Sequence, residues 1–169
     1  MFSIRTFWRV SAQPHWLVDV CLMSGRNNCF GDVWRELDLF KAGPTGDNYL
    51  ALYSYAVMEL LLPSGWEIDK SIQGLLSKPK IKDGCAMGHA LESIVKNDQT
   101  NFTTSMLSLL KAHEGMAKHG GLRETAEGFL CMPAMSLAYV ASKRNLKVEF
   151  ENDYLSIGYL EFLLNSDKV

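Results

Sequence analysis

The chain has 169 residues, of which 47% are hydrophobic and 21% charged, with a formal net charge of −2. These are the values of a single globular domain with a sizeable core, so residues 1–169 are read as one domain, not a collagen, a coiled coil or a disordered chain. The charge balance argues against a dedicated nucleic-acid binder, which carries a basic face, and no apolar run reaches the roughly 18 residues of a membrane span.

The first residues carry Arg5 and Arg9, several hydroxyl side chains and no acid before Asp19. That is the composition of a mitochondrial presequence, without the continuous apolar stretch of a secretory signal. The preferred reading is plainer: a first strand or helix with two solvated arginines.

Helical periodicity dominates from there on. Pro14 suits a first helical position, with Trp16, Leu17, Val20 and Cys21 on one face and Gly25 as a stop. A second stripe, Val33, Trp34, Leu37 and Phe40, ends at Gly43-Pro44. Asp47 is positioned to cap a third helix carrying Leu50, Ser54, Val57, Met58 and Leu61. Ser64 and Glu67 have the spacing of a capping box, in which each side chain satisfies a free backbone N–H; Ile68, Ile72, Leu75 and Leu76 follow. Met87, Leu91, Ile94 and Val95 predict a fifth helix ending near Asn97-Asp98. Thr100 or Asn101 can cap the sixth, with Phe102, Met106, Leu109, Leu110, His113 and Met116, closed by Gly120-Gly121. A seventh spans 129–143, where Pro133 is tolerable only in the first turn. Residues 146–150 alternate apolar and charged, as a short half-exposed strand or extended linker does. Asp153 can then cap a last helix with Leu155, Tyr159, Phe162 and Leu163. The expected fold class is all-α: about eight helices packed as antiparallel hairpins, without a sequence period.

Chemistry-bearing residues are sparse. Cys21, Cys29, Cys85 and Cys131 are scattered with no Cys-x-x-Cys pair, which predicts free thiols in a reducing cytoplasm. Cys85 and His89 lie one helical turn apart, with His113 and His119 beyond them. The last two are about 240° apart around a helix, so a zinc site is not expected; a packed cysteine and surface histidines are. His113-Glu114 lacks the second histidine of a zinc-protease helix. No phosphate loop or nucleophile signature is present, and no cofactor is expected. The four tryptophans, among them Trp8, Trp16, Trp34 and Trp66, read as core rather than as a base-stacking platform, because interleaved lysines and arginines are lacking. Glu149, Glu151 and Asp153 make the C-terminal end acidic. Glu149 and Glu151 share the outward side of the extended segment, as a solvated or partner-facing surface rather than a catalytic pair.

The stretch His119 to Tyr139, containing Glu127-Gly128-Phe129-Leu130 and Pro133-Ala134, is followed by a charged turn and Val148-Glu149-Phe150-Glu151-Asn152-Asp153-Tyr154-Leu155. It resembles the C-terminal half of the immunity protein 49 family, in which a Glu-Gly-Leu stretch leads into a small-residue helix, a basic turn, a short strand and a Tyr-Leu-Pro helix start. The resemblance covers roughly residues 85–164, and Ser156 stands where the pattern has proline. It implies a mostly helical, non-enzymatic protein of the bacterial cytoplasm that binds and neutralises a cognate toxin, often a nuclease delivered by a secretion machine such as the type VI system. On that reading Glu149, Glu151, Asp153 and Tyr154 contact the toxin, acids steering a basic partner. Glu127, Gly128 and Pro133 are structural: Glu127 caps the next helix, and Gly128 takes a positive φ. The alternatives are a helical adaptor with a peptide in an inter-helix groove, and an enzyme with a spatially assembled Cys/His or carboxylate site.

Overall fold

A computed structural model of the protein describes residues 15–24, 48–63 and 67–166. Seven α-helices lie among them: α1 (His15–Met23), α2 (Tyr49–Leu61), α3 (Ile68–Leu76), α4 (Lys82–Lys96), α5 (Gln99–His119), α6 (Met132–Lys143) and α7 (Ile157–Ser166), with a 3-10 turn at Ala126–Gly128. The fold is all-α. The stripe at Val33 to Phe40, the stop at Gly43-Pro44, the N-terminal segment with Trp8 and Pro14, and Cys29, Asp47, Ser64 and Trp66 lie outside the described residues.

Each helix from α2 to α5 packs on its sequence neighbour, and α4 and α5 form the closest hairpin. Asn97 turns that hairpin in the left-handed region, at φ 53°. Asparagine tolerates this conformation better than most residues.

The centre of the domain is α6. Residues 134–141 are all buried, and the helix touches α1, α2, α4, α5 and α7. A helix apolar on every side belongs inside a core. Its small residues Ala134, Ser136, Ala138 and Ala141 let the surrounding helices approach closely. The same core holds Leu52 and Tyr53 of α2, Leu91 and Ile94 of α4, and Phe102, Met106 and Leu110 of α5. Pro133 sits in the first turn of α6, where its missing N–H costs nothing.

The helix starts differ from expectation in a consistent way. The Asn48 side chain caps α2, accepting from the Leu50 N–H at 3.1 Å, next to the expected Asp47, which lies outside the described residues. Asp98, not Thr100 or Asn101, caps α5, accepting from the Asn101 N–H at 3.0 Å. Glu67 occupies the cap position of α3 without a side-chain cap bond and pairs with Lys70 at 2.6 Å; Ser64, the other half of the expected capping box, lies outside the described residues. Ser156, not Asp153, is the side chain at the start of α7, with its Oγ 3.4 Å from the Tyr159 N–H. Glu127 does not cap α6, whose cap position is Cys131 with no side-chain bond. Capping residues are interchangeable in type, and the choice among neighbours falls to tertiary packing, which periodicity does not report.

Gly128 is also corrected. Its φ is not in the left-handed region; what excludes a side chain is the Leu122 carbonyl, 2.3 Å from where a Cβ would sit. The free-thiol expectation is met at Cys85 and Cys131 but not at Cys21, which is disulfide-bonded. Spacing along a chain says nothing about proximity in space. No strand is present among the described residues; the segment 146–150 is unpaired, and Asn152 and Leu155 form an isolated bridge just beyond it.

Candidate functional site

The segment 146–156 joins α6 to α7 as an exposed strap. It begins with a left-handed turn at Asn145, φ 64°, in which the Leu146 N–H reaches back to the Ala141 carbonyl at 3.0 Å. Leu146 and Leu155 are buried at its two ends. Between them burial alternates. Val148, Phe150, Asn152 and Tyr154 are half-buried, while Lys147, Glu149, Glu151 and Asp153 are exposed. Period-two patterning therefore works here without strand pairing: the apolar side lies on the core and the charged side faces water.

Hydrogen bonds fix the strap at both ends. The Gln99 side chain at the start of α5 takes both backbone groups of Lys147, accepting its N–H at 2.7 Å and donating to its carbonyl at 2.9 Å. The Asn152 side chain accepts from the Tyr154 N–H at 3.0 Å, and the Leu155 N–H donates to the Asn152 carbonyl at 3.1 Å, closing a tight turn. The Tyr154 carbonyl accepts from the Cys131 N–H at 2.9 Å.

Three of the four expected contact residues therefore share one outward row: Glu149, Glu151 and Asp153. Lys147 stands in the same row, with its ammonium 3.2 Å from Glu149. Tyr154 is the exception. Its ring turns inward and meets His113 edge-on, with centroids 5.0 Å apart. Residue 154 has the opposite parity to the acidic row, so the alternation itself separates them.

His113 lies on the buried stripe of α5, as its spacing predicts, and is not one of the expected surface histidines; it sits under the strap with an Nε2 that has no hydrogen-bond partner. Burial pushes its pKa down, so it sits there as neutral imidazole. An orphaned buried polar atom costs about 1–3 kcal/mol. The His113→Phe variant keeps a ring against Tyr154 and removes the orphan. It is expected to be more stable by about 1 kcal/mol at neutral pH. The gain widens below pH 6.5, where the unfolded chain binds a proton that the folded chain resists. Urea denaturation at pH 5.5 and 7.5 checks this; a less stable variant at both values would refute the burial argument.

A second polar cluster lies in the core, and sequence reasoning missed it. Asp19 of α1 accepts through one carboxylate oxygen from the Tyr53 hydroxyl at 2.8 Å and from the Ser136 hydroxyl at 2.6 Å. The three residues bind α1, α2 and α6 together. Burial pushes the Asp19 carboxyl up to about 6 against the two hydrogen bonds, which lower it. The signal was a lone acid inside the apolar run Leu17-Val18-Asp19-Val20. Nearby Cys131 is buried and its thiol is pushed up to about 12, so it is not a nucleophile near neutral pH.

Other exposed apolar side chains were also missed. Phe129, expected inside a helix, is 81% exposed in the loop before α6, two residues from the Cys131 N–H that binds the strap. Phe162 of α7 is 60% exposed and stacks on Tyr159, whose hydroxyl donates to the Met23 carbonyl. No group of three His, Cys, Asp or Glu side chains among the described residues is placed to hold a metal ion, and no helix among them is long and apolar enough to cross a membrane. No family model, curated protein or solved structure matches the chain.

Proposed function

We propose that this protein is a non-catalytic immunity-type binder that neutralises a toxic protein partner by docking the acidic strap on a basic surface. One observation carries the reading: Glu149, Glu151 and Asp153 project from a segment whose backbone is already fixed by Gln99, Asn152 and Cys131. A surface ordered before binding does not lose that freedom on binding, and this favours tight association. A row of carboxylates raises the rate of encounter with a cationic partner. Phe129 supplies an exposed aromatic beside the strap's anchor, the kind of side chain that dominates interface energies.

The test is co-expression with the product of the neighbouring gene. Rescue of growth and a stoichiometric complex are expected. The Glu149→Lys/Glu151→Lys/Asp153→Lys variant is expected to lose rescue and to bind at least 100-fold more weakly. Its own thermal stability should change little, since all three side chains are exposed. A neighbour that is not toxic, or toxicity that persists with the wild-type protein, would remove the reading. Rescue by the triple variant would remove the strap from it.

A further inference from the structure

A second surface of opposite charge lies on the α4–α5 hairpin. Two depressions of about 410 and 910 Å³ run along it and meet at Ala86, His89 and Ser108. The larger is lined by Ile81, Ala112, Gly115 and Met116, and its rim carries Lys80, Lys82 and Lys111. All three lysines are exposed. None makes an ion pair with another described residue. Asp83, the carboxylate in this part of the groove, accepts from the Tyr49 hydroxyl at 2.9 Å and offsets one of the three lysine charges. In the smaller depression Glu92 is paired with Lys96 at 2.6 Å and Asp98 is a further carboxylate, so the excess of positive charge belongs to the larger depression, where three lysines stand against Asp83.

Gly115 adds an independent observation. It lies inside the helix α5, where glycine is disfavoured relative to alanine. A Cβ there would meet nothing within 4 Å. Nothing among the described residues requires a glycine here, whereas close approach of another backbone would. Ser108, Ala112 and Gly115 recur at helical spacing on this face and leave a shallow channel for the ridge of an incoming helix.

We infer that the α4–α5 groove, floored by Ala112 and Gly115 and rimmed by Lys80, Lys82 and Lys111, receives an acidic amphipathic helix of a partner protein. A helix satisfies its own backbone groups, which this groove, made of helix sides, offers no ladder to pair with. Among the described residues the groove has no aromatic platform, so a single-stranded nucleic acid is the poorer occupant for the same lysines. Gly115 lies about 200° and Ala112 about 100° around α5 from His113, so the groove floor is turned off the face that the strap covers, and the inference does not rest on the immunity reading.

Selection of displayed 15-residue peptides on the whole protein tests it. Enriched sequences should be acidic, with apolar residues at i, i+3 or i+4, and i+7. Synthesised with a fluorophore and followed by anisotropy, they should bind at least 10-fold more weakly to Lys82→Glu/Lys111→Glu and to Gly115→Leu. Binding to Glu151→Lys should be unchanged. The groove variants should remain folded, because leucine is a better helix former than glycine; the smaller change Gly115→Ala is expected to raise Tm by about 2–4 °C. No enrichment, enrichment of basic sequences, or binding indifferent to the groove variants would overturn the inference. So would a labelled dT15 oligonucleotide that binds with the same lysine dependence.

Discussion

The Asp19→Asn protein is expected to lose a pH dependence of stability that the wild-type chain carries between pH 3.8 and about 6. The sign follows from where the proton sits. In the unfolded chain the carboxyl titrates at its ordinary value, whereas burial in α1 raises it to about 6. Between those values the folded state holds a proton that the unfolded state has lost. Stability from this group is therefore fully present below pH 3.8 and is lost as pH rises through about 6. A shift of that size corresponds to roughly 2–3 kcal/mol. Asparagine keeps an oxygen to accept from Tyr53 and Ser136 while removing the charge, so the variant should lack this slope and be the more stable protein at pH 7.5. His113 pulls the other way, since its lowered pKa makes stability fall with acidification. For that reason the comparison is between the two proteins at each pH, by urea denaturation at pH 4.5, 5.5, 6.5 and 7.5. Parallel curves would show that Asp19 is ionised in the folded state throughout and that its surroundings are more polar than its burial implies.

The Asp19 cluster also marks the limit of what the sequence disclosed. Tyr53 lies 34 positions and Ser136 117 positions from their shared acceptor. A hydroxyl in an apolar helix looks the same in a sequence whether it bonds its own backbone, as Ser54 does to the Leu50 carbonyl, or a distant carboxylate. The helices themselves were legible because each buries a stripe repeating every three or four residues, and the all-α class followed from that. Their caps were not, because Asn48 and Asp98 compete with equally suitable neighbours.

At the strap the balance is reversed. Its alternation was readable from Leu146 to Phe150 and extends to Tyr154, and this places Glu149, Glu151 and Asp153 outward together. The same parity puts Tyr154 inward, against His113 and off the acidic row. What no pattern could supply was the clamp: Gln99 is an unremarkable polar residue until the chain brings Lys147 back to it across 48 positions. Phe129 was misjudged for a related reason. The apolar run from Phe129 through Met132 looks continuous, but α6 starts only at Met132 and leaves Phe129 in solvent.

Leu155→Ala and Gln99→Ala separate the strap's two dependencies. Leu155 is buried at the strap's end and packs into the main core. Truncating it is expected to cost about 2–5 kcal/mol of global stability, visible as a lower urea midpoint with an unchanged slope. Gln99 is exposed, and its loss is expected to cost no more than about 1 kcal/mol. Yet Gln99 holds both backbone groups of Lys147, so its removal should free the strap locally. Hydrogen exchange is the discriminating measurement. In Gln99→Ala the amide of Lys147 should exchange faster while amides in the middle of α6 keep their protection. In Leu155→Ala the α6 amides should lose protection along with the strap, because they exchange through global unfolding. The partner assay then completes the argument: if order in the strap is what makes the acidic row effective, Gln99→Ala weakens binding despite near-native stability. Full affinity in Gln99→Ala, with exchange at Lys147 accelerated, would mean that the carboxylates act through their charge alone.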